Sequence, residues 1–217
     1  MSQAILGKLK TAIIERDEAT AVEAAAEAVA AKVDVMDAIE NGLAAGMVDI
    51  SELFDEGEVF VPELVQSAKV FEAAVAVLTE GLSAEDKAKS SRGKILLHTV
   101  EGDIHNIGKN LVHTMLVASG FDVIDMGVNV PVSQVVETAQ KEKVDIIAGS
   151  ALLTTTMPRM KEIVDLLTEL GVRDQFMCMF GGAPVVDEWA LEFADGYAET
   201  ASGAVRVALE LMEKKKG

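Results

Sequence analysis

The chain has 217 residues, half of them hydrophobic but only 4% aromatic, and its formal net charge is −17. Such an acidic surface repels phosphate groups, so we expect neither nucleic acid nor an anionic membrane as a partner. The single cysteine excludes an internal disulfide. The polar N-terminus and the lack of an apolar run of about 18 residues predict a cytoplasmic protein without a spanning segment.

Residues 1–82 have the apolar spacing of amphipathic helices and contain no convincing strand. Asp34 is a suitable N-cap, and Pro62 suits a first helical turn. Short connections between such helices are typical of a small antiparallel bundle, which often serves as a scaffold or dimerisation unit. The four predicted helices are Ile5–Ile13, Asp17 or Thr20 to Ala31, Val35 to about Phe54, and Pro62–Leu78.

Residues 83–92 are polar and contain no apolar side chain larger than alanine. This composition predicts an interdomain linker between a helical-bundle cap domain, 1–82, and a second domain, 93–217.

After the linker, continuous apolar runs alternate with amphipathic helices, a pattern that predicts an α/β domain with a parallel sheet covered on both faces. With right-handed crossovers, five such units favour a flavodoxin-like (Rossmann-type) sheet of strand order 2-1-3-4-5. The five predicted strands are 94–100, 121–126, 144–150, 176–180 and a short one near Tyr197.

Asp103 and His105 lie two residues apart on the loop that follows the first predicted strand. One imidazole nitrogen of such a histidine can bind a metal, while a nearby carboxylate holds the other nitrogen and raises the basicity of the ligand. His98 and His113 lie inside a strand and a helix, so we expect structural roles for them. Cys178 lies in an apolar run, where an inert buried thiol is expected.

Two further motifs follow this loop at characteristic distances. Forty-one residues separate Gly108 from Ser150, which opens Ser150-Ala151-Leu152, and 28 residues separate Leu152 from Gly181-Gly182. Asp-x-His-x-x-Gly, Ser-x-Leu and Gly-Gly at these spacings resemble the cobalamin-binding module shared by cobalamin-dependent methionine synthase, the corrinoid mutases and the corrinoid methyl carriers.

The resemblance implies a role for each motif residue. His105 would be the lower axial ligand of cobalt, with Asp103 and Thr156 as its hydrogen-bonding relay, and the displaced nucleotide tail of the cofactor would be buried in the domain. A proton moving through Asp103 and His105 would tune the cobalt state. Many relatives have aspartate where this chain has Asn106, a departure expected to alter tuning rather than binding. The remaining implied cofactor contacts are Gly108, Ser150, Leu152, Thr154, Gly181 and Gly182.

The segment from Leu53 to Pro62 is similar to the part of methionine synthase that caps the methyl group. Phe54 and Val61 align with the two residues that shield the upper cofactor face there. With bundle, linker and cobalamin domain all matched, the chain resembles a methyltransferase corrinoid protein. The segment from Cys178 to Val185 is most similar to the methylamine group of these carriers.

The resemblance implies a carrier that is not catalytic by itself, whose cobalt cycles between Co(I) and methyl-Co(III). One substrate-specific methyltransferase would supply the methyl group from a methylamine or quaternary amine. A second would pass it to coenzyme M or tetrahydrofolate, and a reductive activase would restore Co(I). Two alternatives are a cobalamin-binding regulator and the small subunit of a corrinoid mutase. The first is disfavoured by the acidic charge, and the second does not explain the capping bundle.

Overall fold

The structure is a computed structural model that describes residues 2–80 and 91–216. Its contacts divide the chain into two compact units, one of Met1–Ser91 with Thr114–Phe121 and one of Arg92–His113 with Asp122–Gly217. Most of the predicted linker, residues 83–90, lies outside the described residues. The domain boundaries proposed from the sequence therefore stay a prediction.

The first unit contains the predicted amino-terminal helices. Asp17 caps the second helix by accepting a hydrogen bond from the Thr20 backbone N–H at 3.1 Å, as its sequence position suggested. Buried aliphatic and alanine side chains fill the interior of this unit. Its elements are α1 (Ser2–Glu15), α2 (Glu18–Ala30), α3 (Val35–Asp37), a π-helical segment (Ala38–Ala44), α4 (Ala45–Asp55) and α5 (Val61–Leu78).

The third predicted helix is not one regular α-helix, because its middle is the π-helical segment Ala38–Ala44. This part of the chain lies close against α1. A Cβ on Gly46 would stand 2.7 Å from the Lys10 carbonyl oxygen, so only glycine allows the backbones to approach this closely. The spacing of the apolar residues predicted which face of this helix is buried. That spacing does not reveal that part of the helix has the wider turn of a π-helix.

The second unit is an α/β domain with a five-stranded, fully parallel sheet of order β2-β1-β3-β4-β5, which confirms the predicted topology. The strands are β1 (Lys94–Thr99), β2 (Asp122–Asp125), β3 (Ile146–Ser150), β4 (Met177–Gly181) and β5 (Gly196–Ala198). The helices are α6 (Ile107–Ala118, which belongs to this unit up to His113), α7 (Val132–Glu142), α8 (Pro158–Glu169), α9 (Asp187–Ala190) and α10 (Ala201–Lys216), with a 3₁₀ turn at Arg173–Gln175.

Strand register decides which side chains share a face of the sheet. Leu96 pairs with Ile147, and Ile147 pairs with Cys178, and all three belong to the buried cluster that includes residues of α7 and α8. Side chains alternate along a strand, so Leu97, Ala148 and Met179 form the corresponding row on the opposite face. That second face carries the cavity described below.

Cys178 and His98 are both buried, as their sequence context predicted. Burial raises the pKa of the Cys178 thiol to about 12, which strongly disfavours the thiolate form. His98 is fully buried in β1, and burial lowers its pKa to about 4, an effect that the backbone of Ala148 offsets only in part.

Candidate functional site

His105 lies on the loop between β1 and α6, at the carboxyl edge of the sheet. Its Nδ1 stands 2.8 Å from Oδ1 of Asp103, and its backbone N–H donates to the same oxygen at 3.0 Å. The Thr99 hydroxyl donates to the His105 carbonyl oxygen at 2.9 Å. Because the anionic acceptor keeps the proton on Nδ1, the lone pair of Nε2 is available on a side chain that is half exposed.

Asp103 is completely buried and accepts hydrogen bonds on both carboxylate oxygens. Its Oδ2 accepts from the backbone N–H groups of Leu152 and Leu153 at 2.8 and 3.3 Å, and from the Thr156 hydroxyl at 3.0 Å. Burial alone would raise the pKa of this carboxyl, but the hydrogen bonds from Leu152, His105 and Thr156 outweigh it and hold the pKa well below its usual value. Asp103 is therefore a fixed anion.

Four of the residues singled out in the sequence meet in this network: Asp103, His105, Thr156 and, through its backbone N–H, Leu152. The Leu153 backbone N–H also belongs to it and carries no sequence signal, because a main-chain donor does not depend on residue type. Thr154 lies exposed on the same β3–α8 loop, and Ser150 ends β3 at the edge of the neighbouring cavity.

Asn129, on the loop after β2, is a further residue of the site that sequence reasoning missed. Its side-chain oxygen accepts from the Gly102 backbone N–H at 2.7 Å, and its own N–H donates to the Asp103 carbonyl oxygen at 2.8 Å. Asn129 has φ of 53°, a conformation that asparagine tolerates better than most residues. The turn-forming context Gly127-Val128-Asn129 was visible in the sequence, but its partner was not.

Exposed apolar side chains lie on the segment that carries His105 and on the β3–α8 loop, which donates hydrogen bonds to Asp103. Ile104 is 73% exposed and Ile107 is 87% exposed, and Leu152 and Leu153 are each more than 40% exposed. Large aliphatic side chains grouped at a surface in this way mark a binding surface for an apolar partner or ligand.

A cavity of about 160 Å³ lies within the second unit, between the sheet, α6 and α10. Small residues make the space, and a Cβ added to Gly108 would meet no atom within 4 Å. Lys109 borders the cavity but is itself 2% exposed and donates to Asp125. Its principal lining side chains are Leu97, Leu111, Val112, Ala148, Ser150, Met179, Ala198, Ala201 and Ala204.

Gly181 and Gly182, which the resemblance implies as cofactor contacts, also border the cavity, and the chain's own backbone requires glycine at both positions. A Cβ on Gly181 would lie 2.3 Å from the Ala198 carbonyl oxygen, and one on Gly182 would lie 1.9 Å from that of Ala151. Both clashes are with the chain's own backbone. Gly182 also has φ of 125°, which strongly favours glycine.

Phe54 and Val61 belong to the first unit. Phe54 is half-buried near the end of α4, and Val61, which begins α5, is 47% exposed. Among residues 2–80 and 91–216, no cluster of three His, Cys, Asp or Glu could hold a metal ion. No helix in those ranges is both long and apolar enough to cross a membrane.

Comparison with known proteins gives matches along both units. The B12 binding domain family matches residues 93–206, and a second B12 binding domain family matches residues 5–79. Monomethylamine corrinoid protein 1 of Methanosarcina barkeri is 43% identical, covering 98% of this chain and 99% of the relative. The trimethylamine corrinoid protein of the same organism is 42% identical, covering 93% of each chain.

A solved structure agrees with these sequence matches. In the methanol:cobalamin methyltransferase complex of Methanosarcina barkeri, one chain superposes with a TM-score of 0.79 at 33% identity. The match covers 98% of this chain and 81% of that one.

Proposed function

This chain belongs to the family of corrinoid proteins that contain two B12-binding domains, and on that premise we propose that it carries methyl groups taken from methylamines. The protein is a corrinoid methyl carrier, and its cofactor supplies the cobalt–carbon bond chemistry.

One observation carries the assignment of the site: an exposed imidazole is held by a fully buried anion on a loop flanked by apolar side chains. His105 would offer Nε2 as the lower axial ligand, while Asp103 fixes its orientation and the proton on Nδ1. A single histidine would suffice as the protein's ligand, because the macrocycle itself would supply four nitrogen ligands to the metal.

The cavity beside the loop would hold the nucleotide tail of the corrinoid. Gly108 leaves its entrance open, and the hydroxyl of Ser150 lies at its edge. The exposed side chains Ile104, Ile107 and Leu152 would lie against the corrin ring. The residues present therefore fit a cofactor with a flat macrocycle and a tail that enters the domain.

The hydrogen bonds of Asp103 refine the proton relay that the resemblance implied. Five donors hold this carboxylate in its charged form, so protonation of Asp103 is strongly disfavoured. Thr156 would act by stabilising the anion and not by passing a proton.

The methylamine assignment is supported by the named relatives, two of which are methylamine corrinoid proteins of nearly the same length. A structural neighbour comes from a complex with a methyltransferase, which supports a substrate-specific methyltransferase as the first partner. We further propose a second methyltransferase that transfers the methyl group to coenzyme M or tetrahydrofolate, and a reductive activase. Phe54 and Val61 would shield the methyl group between encounters.

Reconstitution of the purified chain with hydroxocobalamin tests the donor. After reduction to Co(I), the visible spectrum should show methylation when mono-, di- or trimethylamine is added with its cognate methyltransferase. The chain with donor but without that enzyme should show none, because the carrier has no donor site of its own in this proposal. Methylation with a methanol-specific enzyme and with no amine-specific one would overturn the methylamine assignment.

A further inference from the structure

The cavity beside the His105 loop has two chemically different ends. Strands and helices line the cavity along its length. Strand register and position along each helix therefore give the depth of each lining residue below the carboxyl edge of the sheet. Ser150, Gly181 and Ala198 are aligned in the row nearest that edge, and the row two residues deeper contains Ala148 and Met179. On the helices, Gly108 and Ala201 lie near the edge because α6 and α10 begin there.

The deep end offers no side-chain hydrogen bond. It is formed by Leu97, Val112, Ala148, Met179 and Ala204, all of them aliphatic or thioether side chains. Backbone groups of the strands around it are paired within the parallel sheet. A polar atom placed there would lose its hydrogen bonds to water and gain none from these side chains.

The polar side chains that line the cavity are Lys109, Ser150, Glu199 and Thr200, all at its shallow end, and two of them are already engaged. Lys109 donates to Asp125, and the Thr200 hydroxyl is bonded to Ser202 and to the Gly203 backbone. The Ser150 hydroxyl makes no hydrogen bond to the part of the chain that the structure describes. It is therefore available to a ligand atom near the mouth.

The size of the cavity also restricts its ligand. Its volume of about 160 Å³ is close to that of an apolar protein cavity of roughly 150 Å³ that stays dry and binds benzene. An aromatic base is a group of about this size.

We propose that this cavity selects corrinoids by their lower nucleotide base, taking a benzimidazole-type base in preference to a purine. The inference rests on the proposed function, in which the nucleotide tail enters here. A benzimidazole presents a hydrocarbon edge to the deep end and keeps its polar nitrogen near Ser150. Adenine would bury ring nitrogens and an amino group against Ala148 and Met179. Apolar pockets discriminate against added polar groups by about tenfold to a hundredfold.

Binding of three corrinoids to the apo chain tests the proposal, with the dissociation constant read from the visible spectrum. Cobalamin has a dimethylbenzimidazole base, adeninylcobamide has adenine, and cobinamide has no nucleotide. We expect cobalamin to bind about tenfold to a hundredfold more tightly than adeninylcobamide. Equal affinities, or tighter binding of adeninylcobamide, would overturn the base preference. Failure of all three corrinoids to bind would instead overturn the proposed function.

Two matched variants test which end of the cavity discriminates between the two bases. Ala148→Ser places a hydroxyl at the deep end, where it can pair with adenine, so the affinity ratio should fall severalfold toward one. Ala201→Ser places the same hydroxyl near the mouth and should leave the ratio unchanged. Ala204→Ser gives a second deep substitution if Ala148→Ser does not fold. An unchanged ratio in a folded deep variant, or an equal fall in Ala201→Ser, would contradict the assignment of selectivity to the deep end.

Discussion

The side-chain oxygen of Asn129 accepts a hydrogen bond from the backbone N–H of Gly102 at 2.7 Å, one residue before the buried carboxylate of the site. The Asn129 N–H donates in turn to the Asp103 carbonyl oxygen at 2.8 Å. Gly102 itself has φ of 84°. The loop after β2 thus braces the turn that presents Asp103 and His105, and Asn129 is a positioning residue for the histidine.

Replacing Asn129 tests this bracing. Asn129→Ala removes the acceptor and places alanine at a positive φ, so the free energy of unfolding should fall by about 2 kcal/mol. Asn129→Gly removes the acceptor but tolerates the backbone, and should cost about 1 kcal/mol. Urea denaturation measures both. Amide exchange of Gly102 should speed up in both variants, and an unchanged exchange rate would contradict the bracing role.

His105→Ala should remove the proposed axial ligand while leaving a folded protein, because the side chain is half exposed. In the Co(II) state of the parent, the imidazole nitrogen should produce hyperfine splitting in the EPR spectrum. That splitting should be lost in His105→Ala and retained in the control His113→Ala. Identical spectra for the parent and His105→Ala would show that His105 is not the axial base.

Asp103→Asn should weaken the site in two ways. The amide group has one acceptor oxygen, so its NH2 would face buried N–H and O–H donors, at a cost of roughly 1–3 kcal/mol in the free energy of unfolding. Asp103→Asn also removes the anion that orients His105, and loss of a group that hydrogen-bonds to a metal ligand costs about tenfold to a hundredfold in metal affinity. Denaturation and corrinoid titration measure the two effects separately.

Thr156 provides the matched control for that experiment. Thr156→Ser keeps the hydroxyl that donates to Asp103, whereas Thr156→Val keeps the shape without it. Corrinoid affinity should stay near the parent value for serine and fall for valine. Equal affinities for the two variants would mean that this hydrogen bond does not support the site.

His98 should make stability depend on pH below neutrality. Its pKa is about 4 in the folded chain and near 6.5 when unfolded, so only the unfolded state gains this proton as the pH falls between those values. The stability is fully present above pH 6.5, and about 3 kcal/mol should be lost by pH 4. Denaturation at several pH values measures the free energy of unfolding of the parent and of His98→Leu. The contributions of other titrating groups cancel in the difference between the two. A pH-independent difference would contradict this assignment.

Phe54→Ala should expose the methyl group in the proposed cap. Removing the aromatic side chain opens the upper face to solvent, so photolysis of the methyl-cobalt bond should be faster than in the parent. Phe60→Ala serves as the control, because Phe60 is a nearby aromatic residue that is 64% exposed. If both variants photolyse at the parent rate, Phe54 is not part of the cap.

The periodicity of the sequence determined the strands and helices of the second unit, because alternating buried strands and amphipathic helices are local patterns. Strand order followed from the right-handedness of parallel crossovers, and the sheet confirms it. The Asp-x-His spacing likewise determined the pairing of Asp103 with His105, since two residues on one loop are close whatever the rest of the fold does.

Only the tertiary structure decided the contacts between distant segments. Asn129 meets Gly102 and Leu153 meets Asp103 across 27 and 50 residues of chain, and no local pattern records such distances. The close contact at Gly182 depends on where the Ala151 carbonyl lies. The apolar character of the deep end of the cavity depends on which side chains are aligned across neighbouring strands. Strand register and side-chain direction set these relationships, and both exist only once the sheet has formed.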